Sequence, residues 1–190
     1  MQVTVTMAGF VWRPLTDAEE DTAFVLRLRN AGPALEALFS TGVSREEHLR
    51  FVRAPEREEE INWIIEKGGE PLGASGIYHL DRKNRRAEVG RVVALLPQLY
   101  PLSLIVSCFV AFDHLGLNKV AGDTLTGNLV VARALERVGV VREGVLREHV
   151  FKNNEFRDVL LFGILARNWR DMKPALFANH GEPQIITHVE

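Results

Sequence analysis

A chain of 190 residues is enough for about one domain of ordinary size. Hydrophobic residues make up 46% and charged residues 25%, the balance of a folded domain rather than of a disordered or membrane-embedded chain. The 23 Lys and Arg against 25 Asp and Glu leave a formal charge of -2, so no global basic field points to nucleic acid, and any anionic ligand has to be held locally. Cys108 is the only cysteine. That excludes an internal disulfide framework and a cysteine zinc site, and makes a reducing cytoplasm the simplest setting. The opening run MQVTVTMAGFVWRPL lacks the charged and apolar regions of a secretory leader. The longest apolar run, Leu102 to Phe112, falls well short of the ~20 residues of a membrane span and is expected to be a buried helix.

In chain order, Phe10 to Leu15 reads as a short strand stopped by Pro14, with Thr16 and Asp17 offering cap oxygens to a helix over Ala18 to Asn30. Asn30-Ala31-Gly32-Pro33 is helix-stop chemistry. Ser44 followed three residues later by Glu47 has the spacing of a capping box and opens a second helix. Glu60 to Lys67 and Pro71 to Leu80, separated by Gly68-Gly69-Glu70, form a hairpin. After the polar turn Asp81 to Arg86, the valine-rich Ala87 to Leu96 is a third strand of this meander, ended by Pro97. The apolar helix Leu102 to Leu115 then leads to a strand over Lys119 to Leu125, parallel to the one before it. Asn128 opens another helix, Leu129 to Val138, with Gly139 as its stop. A terminal hairpin follows, Val145 to Lys152 and Arg157 to Arg167, turning at Asn153-Asn154-Glu155. Residues 1–170 therefore form one α/β domain, a mixed and mostly antiparallel sheet of about seven strands with four helices. Residues 171–190 read as an extension with one strand at Gln184 to Val189, long enough to contribute to a homodimer contact.

Several ordered fragments carry a resemblance. They are Leu28-Arg29-Asn30, Ser44-x-x-Glu47-His48-x-x-Phe51, Pro71-Leu72-Gly73, Arg86-Ala87-Glu88-Val89-Gly90, Leu115-Gly116-Leu117-Asn118-Lys119 and Asn128. Further on come Leu135 to Val140, Arg142 to Glu148 and Phe151 to Asp158. From about Phe10 to Trp169 the chain resembles the Gcn5-related N-acetyltransferase (GNAT) superfamily. The likeness is to the branch that holds ribosomal-protein N-acetyltransferases and the nucleotide-sugar N-acetyltransferase of pseudaminic acid biosynthesis. The resemblance implies transfer of an acyl group from acetyl-CoA to a primary amine by direct attack. It places the thioester carbonyl against backbone N–H groups near Val93 to Leu96, with Val93 and Leu95 as contacts, an arrangement in which preorganised donors do much of the catalysis. It also puts the cofactor pyrophosphate on Gln98-Leu99-Tyr100-Pro101-Leu102-Ser103, at the start of the long helix, with Asn128 as a further cofactor contact.

That loop departs from the family pattern, because Pro101 stands where the central glycine belongs. Proline has no N–H to donate and no access to positive φ, although it is well tolerated in a first helical turn. One lost hydrogen bond to a charged group, worth roughly 1.5 to 3 kcal/mol, would weaken CoA binding about ten- to a hundredfold.

By the same resemblance Glu88 and Asp123 are the candidates to relay a proton from the attacking amine, Asp123 through water. As a plain strand carboxylate, Glu88 would instead pair with Arg85, Arg86 or Arg91, and Asp123 would be a turn or cap residue. His48 is either an acceptor contact or a solvated helical histidine. Ser75 joins it as a substrate-binding candidate, with His79 on the same strand face and Tyr78 on the other. Leu135 replaces the tyrosine that protonates the leaving thiolate in many relatives. Cys108 is expected to be buried and inert. The six histidines have no metal-ligand spacing, so no metal is expected. The basic turn Asp81 to Arg86 is either a solvated loop or a diphosphate site, and Glu56 to Glu60 either a connector or a recogniser of basic peptides. The first reading is an N-acyltransferase acting on a small-molecule amine such as an amino sugar or a biosynthetic intermediate, with a protein N-terminus as the same-class competitor. The other is a protein of the same fold that has lost acetyl-CoA, kept for binding or using an unusual donor.

Overall fold

The structure is a computed structural model that describes residues 2–37, 39, 42–55 and 59–188. It opens with β1 (Gln2–Met7) and β2 (Phe10–Pro14), a hairpin turning on Ala8 and Gly9, both at positive φ. β1 has no counterpart in the sequence reading, although Val3, Val5 and Met7 alternate with polar residues as a half-buried strand requires. Then come α1 (Glu19–Arg29), α2 (Gly32–Ala37) and α3 (Arg45–Arg53). β3 (Ile61–Lys67), β4 (Glu70–Asp81) and β5 (Arg86–Ala94) form the meander. α4 (Leu99–Cys108) continues as a π-helical segment, Phe109–His114, into β6 (Lys119–Leu125). α5 (Leu129–Val138), β7 (Val141–Lys152), β8 (Glu155–Leu165), α6 (Ala166–His180) and β9 (Gln184–His188) complete the chain.

The single sheet has nine strands in the order β7-β8-β6-β5-β4-β3-β2-β1-β9, and its one parallel pair is β5 with β6. The fold class is the expected one, with two more helices than expected, one further strand, β1, and the strand expected at Gln184 to Val189 joined to the same sheet as β9. α2 was hidden because Gly32-Pro33 was read only as a stop, whereas proline near a helix start is favourable. α4 begins three residues earlier than expected and absorbs Pro101 in its first turn, so most of the anticipated loop is helix. The segment after residue 170 supplies most of α6, which buries Trp169, and β9, which extends the sheet along β1. Val189 and residues 56–58 of the acidic connector lie outside the described residues.

The sheet is covered on both faces. One face carries α4 and α6 over Trp12, Trp63, Ile105, Val106 and Trp169, and the other carries α1 over Ile64, Ala74 and Val93. This explains why Trp63-Ile64-Ile65 is apolar without a break: Trp63 and Ile65 go to one side and Ile64 to the other. α1 is anchored by Arg13 of β2, which bonds Asp21 at 2.7 Å and Glu66 at 2.8 Å. Burial alone would raise the Asp21 carboxyl, but hydrogen bonds from Arg13 and Thr16 outweigh it and hold it below its usual value. The expected caps behave unequally. Ser44 and Glu47 form the complete capping box of α3, and Asn128 and Gly139 bracket α5, whereas α1 starts from Ala18 without a side-chain cap. Among the described residues no helix is long and apolar enough to cross a membrane.

Gly122 sits where β6 leaves β5. A Cβ there would lie 2.3 Å from the Phe162 ring and 2.8 Å from the Val89 carbonyl. Gly122→Ala is expected to destabilise the chain by about 1–3 kcal/mol, measured by denaturant unfolding, and an unchanged midpoint would show that the strands can part there.

Candidate active site

β5 and β6 are paired only from Arg86, Ala87 and Glu88 to Lys119, Val120 and Ala121. Beyond that point β5 stays with β4 and β6 stays with β8. The divergence has a local cause. Between Ala74↔Val93 and Gly76↔Gly90, β5 carries one more residue than β4, and Arg91 takes φ 53°. A bulge of this kind bends its strand and raises the local twist. The gap it opens is a cleft of about 290 Å³. Its walls are Val89 to Val93 of β5, Asp123 and Thr124 of β6, Tyr100, Ser103 and Ser107 of α4, and Asn128, Val131 and Leu135 of α5. Arg29 and Tyr78 line the side toward α1. A second hollow of about 540 Å³ meets this one at Asn128 and runs between residues 125–130 and the β7–β8 turn.

Asp123 lines the cleft from the parting strand while staying exposed to solvent, and its carboxyl is raised above the usual value, first by partial desolvation and then by the charge of Glu88. Glu88 does not pair with the arginines proposed for it. It meets His79 at 3.1 Å, and Arg91 bonds Glu60 at 2.6 Å instead. The Arg91 guanidinium lies 3.8 Å from the centroid of the Tyr78 ring, a cation–π contact. Tyr78 itself is pushed up to about 12, mainly by burial and next by Asp123, so it is a neutral phenol at physiological pH.

On the donor side, strand alternation settles which amides face the gap. The Leu95 N–H bonds the Leu72 carbonyl at 2.9 Å, so it points to β4 and Ala94 points the other way. The Tyr100 hydroxyl has its pKa raised by burial and eased back by the nearby Ala94 backbone. At the start of α4 the N–H of Leu99 bonds Leu96 at 3.0 Å, that of Tyr100 bonds Pro97 at 3.3 Å, and that of Leu102 bonds Gln98 at 3.3 Å. Pro101 has none, and no lysine or arginine occurs between Arg91 and Lys119. Of the amides a helix normally leaves free at this end, those of Leu99 and Tyr100 are engaged within the turn and Pro101 has none, which leaves that of Gln98. The splayed strands suit a slender thioester arm, but this helix start does not fit a pyrophosphate.

Of the sequence candidates, Val93, Tyr100, Ser103, Asn128 and Asp123 come together in the cleft. Leu99 and Leu102 are packed in the core, and Leu95 and Gln98 turn to solvent. Asn128 caps α5 through Val131 at 3.3 Å. His48 and Ser75 meet in a small pocket of about 30 Å³ that shares Arg29, Arg91 and Val93 with the cleft. His48 is buried, not solvated, and its pKa is lowered by burial and by Arg29. His79 is exposed beside Glu88, and Cys108 is buried with its thiol pushed up by desolvation. The basic turn is solvated and tied to itself, with Asp81 bonding Asn84 and Arg86. Tyr78, Arg91 and Arg29 went unsingled in the sequence as site residues. For Arg91 no local signal exists, because a bulge shows only once β4 and β5 are paired.

No protein-family model matches the sequence, and no curated protein matches it. Solved structures do. The spermidine N-acetyltransferase of Vibrio cholerae, in complex with CoA and spermine, superposes with a TM-score of 0.76 at 20% identity, covering 86% of this chain and 99% of that one. A GCN5-related N-acetyltransferase of Brucella melitensis gives 0.75 at 21% identity, covering 92% of this chain and 84% of that one. At such identities the backbone is what is shared: the chain has the fold of the Gcn5-related N-acetyltransferases.

Proposed function

We propose that the chain is an N-acyltransferase that moves an acyl group from a thioester of the acetyl-CoA type to a primary amine of a small metabolite, such as an amino sugar or a biosynthetic intermediate. The observation that carries this reading is the parted β5 and β6 with a raised carboxylate, Asp123, facing the bulged strand across the gap. The donor supplies an activated acyl carbon, and the residues of this chain do the rest. An amine attacks only when neutral, so a base must take its proton, and a carboxylate lifted toward neutrality serves that end better than an ordinary one. Asp123 is that base, directly or through one water, and Glu88 acts on it by charge. The Ala94 amide, on the side of β5 turned away from β4, would polarise the acyl oxygen of a bound donor. Leu135 supplies no proton to the leaving thiolate, a tolerable loss for a group with a pKa near 8.5.

One observation favours a second reading, a donor other than CoA or a binding role in the same fold: at the start of α4 the Leu99 and Tyr100 amides are engaged within the turn and Pro101 has none to give a pyrophosphate. Calorimetric titration with acetyl-CoA, against free CoA, separates the two. Micromolar binding at one site per chain supports the first, and no heat at millimolar donor overturns it. Tyr100→Phe removes the hydroxyl whose titration the Ala94 backbone influences, and is expected to tighten donor binding severalfold, the worth of about 1 kcal/mol. Pro101→Gly should tighten it or leave it unchanged, and a large loss would show an apolar loop adapted to another ligand.

Asp123→Asn is expected to lower turnover about a hundredfold or more at neutral pH. Because the native carboxyl binds its proton more tightly than the unfolded one, stability falls as pH rises from the ordinary aspartate range through the raised value. The asparagine variant should therefore melt no lower than the parent at pH 7. Glu88→Gln should move the acidic limb of kcat/KM to lower pH, since Glu88 helps hold Asp123 up. Full activity in both variants would remove the proton relay from these residues.

A further inference from the structure

Resting on the transferase reading, we propose that the acceptor amine carries an oxyanionic group, a carboxylate or a phosphate, received where Arg29, Arg91, His48 and Ser75 converge. Four observations lead there. Arg29, from the end of α1, and Arg91, from the bulge of β5, both line the cleft and the small pocket that opens off it. They lie close enough that the charge of Arg91, after burial, lowers the affinity of Arg29 for its proton. A bound oxyanion relieves that repulsion.

The pocket behind them is built of polar atoms in want of a partner. His48 is 3% exposed and Ser75 4%, and neither the His48 Nε2 nor the Ser75 Oγ has a hydrogen-bond partner among the described residues. Buried polar groups are otherwise satisfied almost everywhere in folded proteins. About 30 Å³ is room for an oxygen-sized group, not for a side chain or a sugar ring. Two described acids of that end are engaged: Asp21 is bonded by Arg13 at 2.7 Å and Glu60 by Arg91 at 2.6 Å.

Charge along the cleft is also ordered. Asp123, with the charge of Glu88 acting on it, stands at the end where an amine would lose its proton, while the guanidinium groups stand at the α1 side. An amine with an anion a few bonds away matches both ends. A polyamine sets a second ammonium against two arginines. Arg91 is held in place between the rings of Tyr78 and Phe51, at 3.8 and 5.1 Å, so the anion site is rigid before ligand arrives.

The test compares amines that differ only in the far group, with acetyl-CoA as donor: 4-aminobutyrate against butylamine and putrescine, and phosphoethanolamine against ethanolamine. The expected result is a kcat/KM at least tenfold higher for an anionic amine, with the better of the two anions naming carboxylate or phosphate. Arg29→Gln should raise KM for that amine roughly ten- to a hundredfold with a much smaller change in kcat, and Arg29→Lys should restore part of it. Equal or better use of putrescine or butylamine overturns the proposal and leaves the transferase reading standing. If no amine is acylated, the transferase reading falls and the anion site is read from melting temperature in glutarate or inorganic phosphate. A rise in the parent that Ser75→Val and Arg29→Lys diminish supports the site, and no rise in the parent overturns it.

Discussion

The β-bulge at Arg91 is the constraint on which the rest of the molecule depends. Without the extra residue opposite Ser75, β5 would continue alongside β6 and the sheet would close with no cleft. The bulge turns Arg91 toward Tyr78 and Phe51, where it meets Glu60, and it leaves backbone on the β6 side of β5 without a strand partner. A positive φ in a non-glycine residue is locally unfavourable. The ring contacts and the carboxylate bond of Arg91 stabilise it, so the element that opens the site also organises one end of it.

The two ends of the cleft differ in how they treat charge. On the β6 side, partial burial and a neighbouring carboxylate raise Asp123, and the same surroundings keep Tyr78 protonated. On the α1 side, burial and a neighbouring guanidinium lower Arg29, and burial with Arg29 keeps His48 neutral. Each end thus presents groups pushed toward their uncharged forms, which a ligand of opposite charge would reverse. The start of α4 follows another logic. It satisfies its own amides in a tight turn and offers an apolar surface, with Leu95 turned to solvent.

Most of the fold was legible because the signals were local. The Ser44 and Glu47 capping box, the Gly68-Gly69 turn, the Asn128 cap and the Gly139 stop act within four residues of themselves, and all appear where the sequence puts them. What was missed depended on distant partners. β1 pairs with β9, the strand expected at the far end of the chain, and α6 is held through Trp169, whose indole N–H reaches Asp113 at 2.9 Å. Pro101 was legible as a loss of one amide, but not that Leu99 and Tyr100 would spend theirs on Leu96 and Pro97.

By itself the sequence determined the class of fold, the alternation of strands and helices and the chemistry available at Glu88, Asp123, His48, Ser75 and Asn128. Only the tertiary structure decided which of these share a cavity. The reason is geometric: alternation along a strand assigns a side chain to a face, but a bulge shifts that assignment, and it exists only in the pairing of two strands. Hence Asp123 and Val93 face one cleft while Leu95 does not, and the arginines that order its other end emerged only with β4 laid beside β5.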